Sequence, residues 1–185
     1  RDDAKRNENY IGWYIEKFKN EGVGLELIYT DEIDYENAPD FAIVRAIRPD
    51  ITKKLESNGV RCFNNSFVSE ICNDKALTYK YVSERGIEIM PTYYSTEEVK
   101  GFPVVIKPKN SHGGDRVNMA ESYGELMKLM PLYEGDNYVI QAVASDRGKD
   151  LRVYVIGNKI ITAMLRESKT DFRSNFCLGG QASVY

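Results

Sequence analysis

The stretch GFPVVIKPKNSHGGDRVNM, Gly101 to Met119, decides how the chain is read. Pro103, Val104, Val105 and Ile106 form a short apolar run rich in β-branched residues, bounded by Gly101 and Pro108, which is the pattern of a buried strand. Lys107 sits at its end. The polar segment Asn110 to Arg116 follows, in which Gly113 and Gly114 can take positive φ and let the backbone approach a ligand. A strand, a lysine and a loop without side-chain bulk at two positions can hold a polyphosphate, because phosphate oxygens need successive backbone N–H donors and a fixed cation. The same residues serve equally as a hairpin turn with a solvated lysine, since Gly-Gly between strands is a common hairpin signal. The segment is neither a Walker loop, which needs Gly-Lys-Ser/Thr opening a helix, nor Gly-x-Gly-x-x-Gly.

Upstream, Asn73 is expected to cap a helix from Asp74 to Arg85, with Leu77, Tyr81 and Val82 as its apolar face and Gly86 as its stop. Lys75 falls in the first turn, where a cation opposes the helix dipole; this hints at an anion site, beside the commoner explanation of a solvated lysine. Met90 to Tyr94 reads as a strand. Downstream, Ser122 and Glu125 make a capping box for a helix to Leu132, whose Leu126, Met127, Leu129 and Met130 read as core. Tyr138 to Val143 is a strand, and Asp150 to Ile156 with Lys159 to Glu167 alternate as a hairpin through Gly157-Asn158. This part is expected to be α+β with an antiparallel sheet.

The first part reads differently. Tyr10, Ile11, Trp13, Tyr14, Ile15 and Phe18 recur at helical spacing over Asn7 to Glu21; Leu25 to Tyr29 and Phe41 to Val44 read as strands. Pro49 and Asp50 open a helix through Asn58, Gly59 ends it, Val60 to Phe63 is a short strand, and Ser66 to Ile71 a helical turn. Helices alternating with strands predict a small α/β layer with a parallel sheet. Such layers usually begin on a strand, so a strand preceding residue 1 is expected. Two domains follow, an α/β domain over residues 1–65 and an α+β domain over residues 66–185.

Composition narrows the function classes. The 185 residues are 42% hydrophobic and 29% charged with a formal net charge of −3, an ordinary globular balance with no basic field for general nucleic-acid binding. No run approaches the roughly 18 apolar residues of a membrane span, and the start RDDAKRNENY has no signal-peptide pattern, so a cytoplasmic location is expected. The three cysteines, Cys62, Cys72 and Cys177, form no Cys-x-x-Cys pair and read as reduced, packed thiols. With His112 the one histidine, a His-rich metal site is nearly excluded.

The last stretch carries the resemblance. Asp171-Phe172-Arg173-Ser174-Asn175, followed by Gly179-Gly180-Gln181-Ala182-Ser183-Val184, is dense in polar groups and alone would pass for an exposed loop. Together with Lys75, Lys107, the Gly113-Gly114 loop and Asp150-Leu151-Arg152, its order resembles the ATP-grasp superfamily, closest to the RimK-type amino-acid ligases, from about Asn65 to Tyr185. The resemblance implies an α/β pre-ATP-grasp domain followed by an ATP-grasp domain that is incomplete at the C-terminus.

It further implies that Lys75 and Lys107 reach ATP phosphates, that His112, Gly113 and Gly114 belong to a lid, and that Gln141 and Val143 read adenine through backbone groups. Asp150 would lie near the ribose, followed by Arg152; Arg166, Arg173 and Asn175 would lie near the transferred phosphate and the carboxylate. Gln141-Ala142 stands where the family has a glutamate followed by an aromatic residue, and His112 and Asp115 stand where small uncharged residues are common.

The implied activity is an ATP-dependent carboxylate–amine ligase, passing through an acyl phosphate to an amide or peptide bond and ADP. Its implied cofactors are ATP and Mg²⁺, the metal ligands being expected beyond Tyr185, so that these residues alone would be inactive. Its partners would be a small-molecule or peptide carboxylate and an amine, with no membrane and a homo-oligomer in view. Two alternatives stand beside it: a nucleotide-binding module without ligase activity, and an α/β protein with solvated lysines.

Overall fold

A computed structural model describes residues 1–111, 113–135, 137–174 and 179–185. The chain forms two compact units, Arg1–Glu70 and Ile71–Tyr185. Among the described residues, no helix is long and apolar enough to cross a membrane.

The first unit begins with helices α1 (Asp2–Arg6) and α2 (Glu8–Asn20). No residue of α2 is buried; its Tyr10, Tyr14 and Phe18 form a ladder of rings with centroids 4.9 and 5.9 Å apart, continued by Phe41 at 6.0 Å. Strands β1 (Phe41–Ile43) and β2 (Arg61–Phe63) pair in parallel, with Ala42 opposite Cys62. The crossover is α3 (Pro49–Ser57), started by a proline whose missing N–H is harmless in the first turn and packed through Ile51 and Leu55 onto Val60 and Cys62. The expected strand Leu25 to Tyr29 does not form: the segment has no ladder partner among the described strands, and Leu27 and Ile28 stay exposed. Apolar content alone cannot supply the neighbouring strand that a ladder requires. Helix α4 (Ser66–Cys72) follows.

The second unit opens with α5 (Lys75–Ser83). Its cap is Asp74 rather than Asn73: the Asp74 carboxylate accepts from the N–H groups of Ala76 and Leu77 at 2.8 and 3.0 Å. Strands β3 (Thr92–Tyr93), β4 (Val104–Pro108), β5 (Asn118–Ala120) and β6 (Tyr138–Ala142) form a sheet in the order β3-β6-β4-β5, antiparallel throughout. Burial alternates along β4. Val104, Ile106 and Pro108 are buried, whereas Val105 and Lys107 face the other side.

The buried face of this sheet packs on α6 (Tyr123–Leu129), giving a core of Val104, Ile106, Ala120, Leu126, Tyr133 and Ile140. Ser122 caps α6 by accepting from Glu125 N–H, and the Glu125 carboxylate accepts from Glu121 N–H. The helix ends at Leu129, short of the expected Leu132, because Pro131 cannot donate and the chain tightens into a 3₁₀ turn over Met130–Tyr133. Met127, expected in the core, is exposed. A second antiparallel sheet, ordered β7-β8-β9, joins β7 (Lys149–Ile156), β8 (Lys159–Glu167) and β9 (Gln181–Val184).

Candidate functional site

The site lies on the face of the first sheet opposite α6. Alternation along β4 puts Lys107 there, and the antiparallel register sets Gln141 diagonally beside it, since Val105 opposes Gln141 and Lys107 opposes Val139. Lys107 Nζ donates to Gln141 Oε1 at 2.8 Å and lies 5.3 Å from the centre of the Tyr79 ring. Gln141 Nε2 in turn donates to Thr92 Oγ1 at 2.9 Å, so the amide is held with its oxygen toward the lysine. Burial lowers the Lys107 ammonium to about 8 and raises the Tyr79 phenol.

Lys75 reaches the same region from the first turn of α5. Its Nζ donates to the carbonyls of Pro108, Lys109 and Ser111 at 3.1, 3.2 and 2.5 Å, and its backbone N–H donates to Lys109 O at 3.0 Å. Burial, then the proximity of Lys107, lowers its ammonium below the ordinary lysine value. Neither lysine makes an ion pair among the described residues; every bonded partner is a carbonyl, an amide or a hydroxyl. Two cations in one partly desolvated place with neutral acceptors alone make a site that gains from an anion.

The glycine loop borders the lysines. Gly113 and Gly114 have φ of 67° and 83°, and Arg116 has φ of 48°, so the turn uses left-handed backbone where glycine is cheapest. Its return limb is fixed from the core: the Tyr133 hydroxyl lies 2.7 Å from Arg116 O and 3.1 Å from Ile106 O, and accepts from Asn118 Nδ2 at 2.7 Å. His112 lies outside the described residues, as does Asn175.

Gln141 sits in the central strand β6, flanked on one side by β3 and on the other by β4, and Val143 N–H donates to Pro103 O at 3.3 Å. A base read by the Val143 N–H would compete with that long bond. Asp150, on β7, accepts both arms of the Arg166 guanidinium from β8 at 2.8 and 2.5 Å, and also the Ser174 hydroxyl. Hydrogen bonding from Arg166 holds its carboxyl below the usual range. Asp150 and Arg166 therefore engage each other rather than standing as separate groups.

Arg173 is equally engaged. Its Nε and Nη2 meet the two oxygens of Asp171 at 3.0 and 2.8 Å, and its Nη1 donates to Gly114 O at 3.2 Å. The sequence reading did not single out Tyr79, Thr92, Tyr133 or Asp171. Tyr79 was within reach, because four residues after Lys75 it shares that face of α5. Thr92 and Tyr133 carry no local signal.

Residues 86–185 match the RimK-like ATP-grasp domain. The chain belongs to the RimK-like ATP-grasp family. It is 26% identical over 192 residues to an uncharacterized protein of Mycoplasma genitalium, covering all of this chain and 67% of that protein. It is 31% identical over 147 residues to a probable alpha-L-glutamate ligase of Hydrogenovibrio crunogenus, covering 72% of this chain and 49% of the relative. The chain thus spans about two thirds of the first relative and half of the second. Among solved structures it resembles the RimK domain ATP-grasp protein of Sphaerobacter thermophilus, with a TM-score of 0.67 at 19% identity over 87% of this chain and 69% of that one. That likeness is one of fold.

Proposed function

We propose that this chain forms the nucleotide-holding part of an ATP-dependent carboxylate–amine ligase, in which Lys75 and Lys107 hold the phosphates and Gly113–Gly114 lies over them. The observation that carries the reading is the pair of lysines converging on one site, where among the described residues their bonded partners are neutral acceptors. Membership of the RimK-like family supports it. Bound ATP would supply a phosphoryl group to a carboxylate, and the acyl phosphate would lose phosphate to an attacking amine, leaving an amide and ADP.

The residues of the chain bind and orient. Lys107, held by Gln141, and Lys75, held by three carbonyls, are preset as donors, so little side-chain entropy is lost when phosphate oxygens replace those acceptors. Backbone groups of Gln141 and Val143 would border the base and Asp150 the ribose; His112 would join the lid. Arg166 and Asn175 would lie toward the transferred phosphate and the carboxylate, where a planar guanidinium suits an acyl phosphate, and Arg173, closed on Asp171 and Gly114 O, would border them. Among the described residues no group of three or more His, Cys, Asp or Glu side chains is placed to hold a metal, and no step is assigned to one.

Calorimetric titration of ADP into the chain tests the reading. Lys107→Ala and Lys75→Ala should each weaken binding by about tenfold or more, the loss of one charge-assisted hydrogen bond. Unchanged affinity in both variants would remove the lysines from the site. ADP binding without amide formation by any carboxylate and amine in the full-length protein would favour the nucleotide-binding module instead.

A further inference from the structure

The segment after β8 is built to aim one guanidinium. Gly148, in the connection from β6 to β7, donates its N–H to Phe172 O at 2.9 Å and accepts from Ser168 N–H at 2.7 Å. A Cβ there would lie 2.7 Å from Ser168 O and 2.8 Å from Asp171 O, and φ is 71°, so only glycine lets the 168–172 turn sit this close. The Ser168 hydroxyl oxygen accepts from Asp171 N–H at 3.1 Å, fixing the turn from inside. Asp171 is thereby held where its carboxylate takes the Nε and Nη2 edge of Arg173 and, at 2.8 Å, the Arg173 backbone N–H.

With that edge occupied, the remaining nitrogen points at the glycine loop. Arg173 Nη1 donates to Gly114 O at 3.2 Å, with Val117 O at 3.5 Å. Two holds on the loop are seen among the described residues: Tyr133 holds its return limb from the core of the four-stranded sheet, and Arg173 holds its turn from the segment between β8 and β9. Tyr133 is buried and fixed, whereas Arg173 retains partial exposure.

We propose that Arg173 is the clasp of the loop Gly113–Val117 and that Asp171 is the positioning residue that aims it, so that the pair sets how long a nucleotide stays under the loop. This rests on the reading of that loop as a nucleotide lid. The ion pair neutralises the guanidinium while the loop carbonyls take its third nitrogen, a geometry that asparagine at 171 reproduces in size but without the paired charge. Lysine at 173 keeps the charge and loses the fork, so it cannot hold the carboxylate and the loop at once.

Amide hydrogen exchange of the nucleotide-free chain reads the clasp, and stopped-flow release of a fluorescent ADP reads its consequence. Asp171→Asn and Arg173→Lys should each raise exchange at Gly113 to Val117 by about tenfold while Val104 to Ile106 exchange as before. Both should speed ADP release by a similar factor, with association changed less than about twofold. Loop exchange equal to that of the parent chain, in either variant with the β4 amides intact, overturns the clasp even if ADP release accelerates, since Arg173 would then act by touching phosphate directly. If Asp171→Asn loosens the β4 amides as well, Arg173→Lys decides alone. Faster loop exchange in a chain that binds no ADP would leave the clasp standing and defeat the nucleotide reading.

Discussion

Lys107 should make nucleotide affinity fall with pH in a window where ATP itself no longer titrates. Burial lowers its ammonium from 10.5 to about 8 in the nucleotide-free protein, a difference that corresponds to about 3 kcal/mol. A polyphosphate placed beside it restores the charged form, so binding takes up a proton wherever the free protein has lost it. Affinity is then full below pH 8 and declines as pH rises from there toward 10.5. With the free lysine about one-tenth protonated at pH 9, ADP should bind about tenfold more weakly than at pH 7, with about 0.9 proton taken up. Calorimetry in buffers of different ionisation heat measures both quantities. Lys75, also lowered by burial, adds to the fall, so Lys107→Arg and Lys75→Arg should each flatten part of the profile, arginine remaining charged throughout. An affinity constant from pH 7 to 9.5 with no buffer dependence would refute the reasoning. The free protein moves oppositely: the unfolded chain keeps the lysine proton to higher pH, so the cost of burying this ammonium is full below about pH 8 and is relieved as pH rises from there toward 10.5, and folding stability rises through that window.

Three further outcomes can be checked by single substitutions. Asp74→Ala removes the cap of α5 and should cost about 0.5–2 kcal/mol in urea unfolding, with ADP affinity falling as Lys75 loses its fixed helix start. Tyr133→Phe keeps the buried ring but leaves Asn118 and Arg116 O without the hydroxyl, and should cost about 1–3 kcal/mol; a change below about 0.3 would mean that water replaces it. Gly148→Ala forces a Cβ against two carbonyl oxygens at positive φ; beyond the ~1–2 kcal/mol backbone cost, proteolysis should reach the 168–174 segment first.

What the sequence disclosed depended on how local its cause was. The β7–β8 hairpin was legible because alternation and Gly157-Asn158 lie within one short span, and the parallel pair β1–β2 because α3 carries both a proline start and a glycine stop. Leu25 to Tyr29 was misread because a strand is made by its neighbour, which the segment's own residues do not specify. The cap of α5 slipped by one residue since Asn73 and Asp74 are both good caps and reach alone decides between them. Lys107 was visible as a lysine at a strand end, but its pairing with Gln141 follows from a register fixed across a separation of 34 residues. Asp171 was in view within the quoted motif, and its task appeared only when the Arg173 fork was seen closed on it.

The two-sided character of β4 has a consequence for how variation should be tolerated along it. Val104, Ile106 and Pro108 turn inward and Val105 and Lys107 outward, so neighbouring positions on five consecutive residues answer to different demands. In a saturation library scored separately for abundance and for ADP binding, loss of abundance should mark 104 and 106, and loss of binding at normal abundance should mark 107. The two kinds of damage would alternate along the strand, and a single score for fitness would blur them into a uniformly intolerant segment.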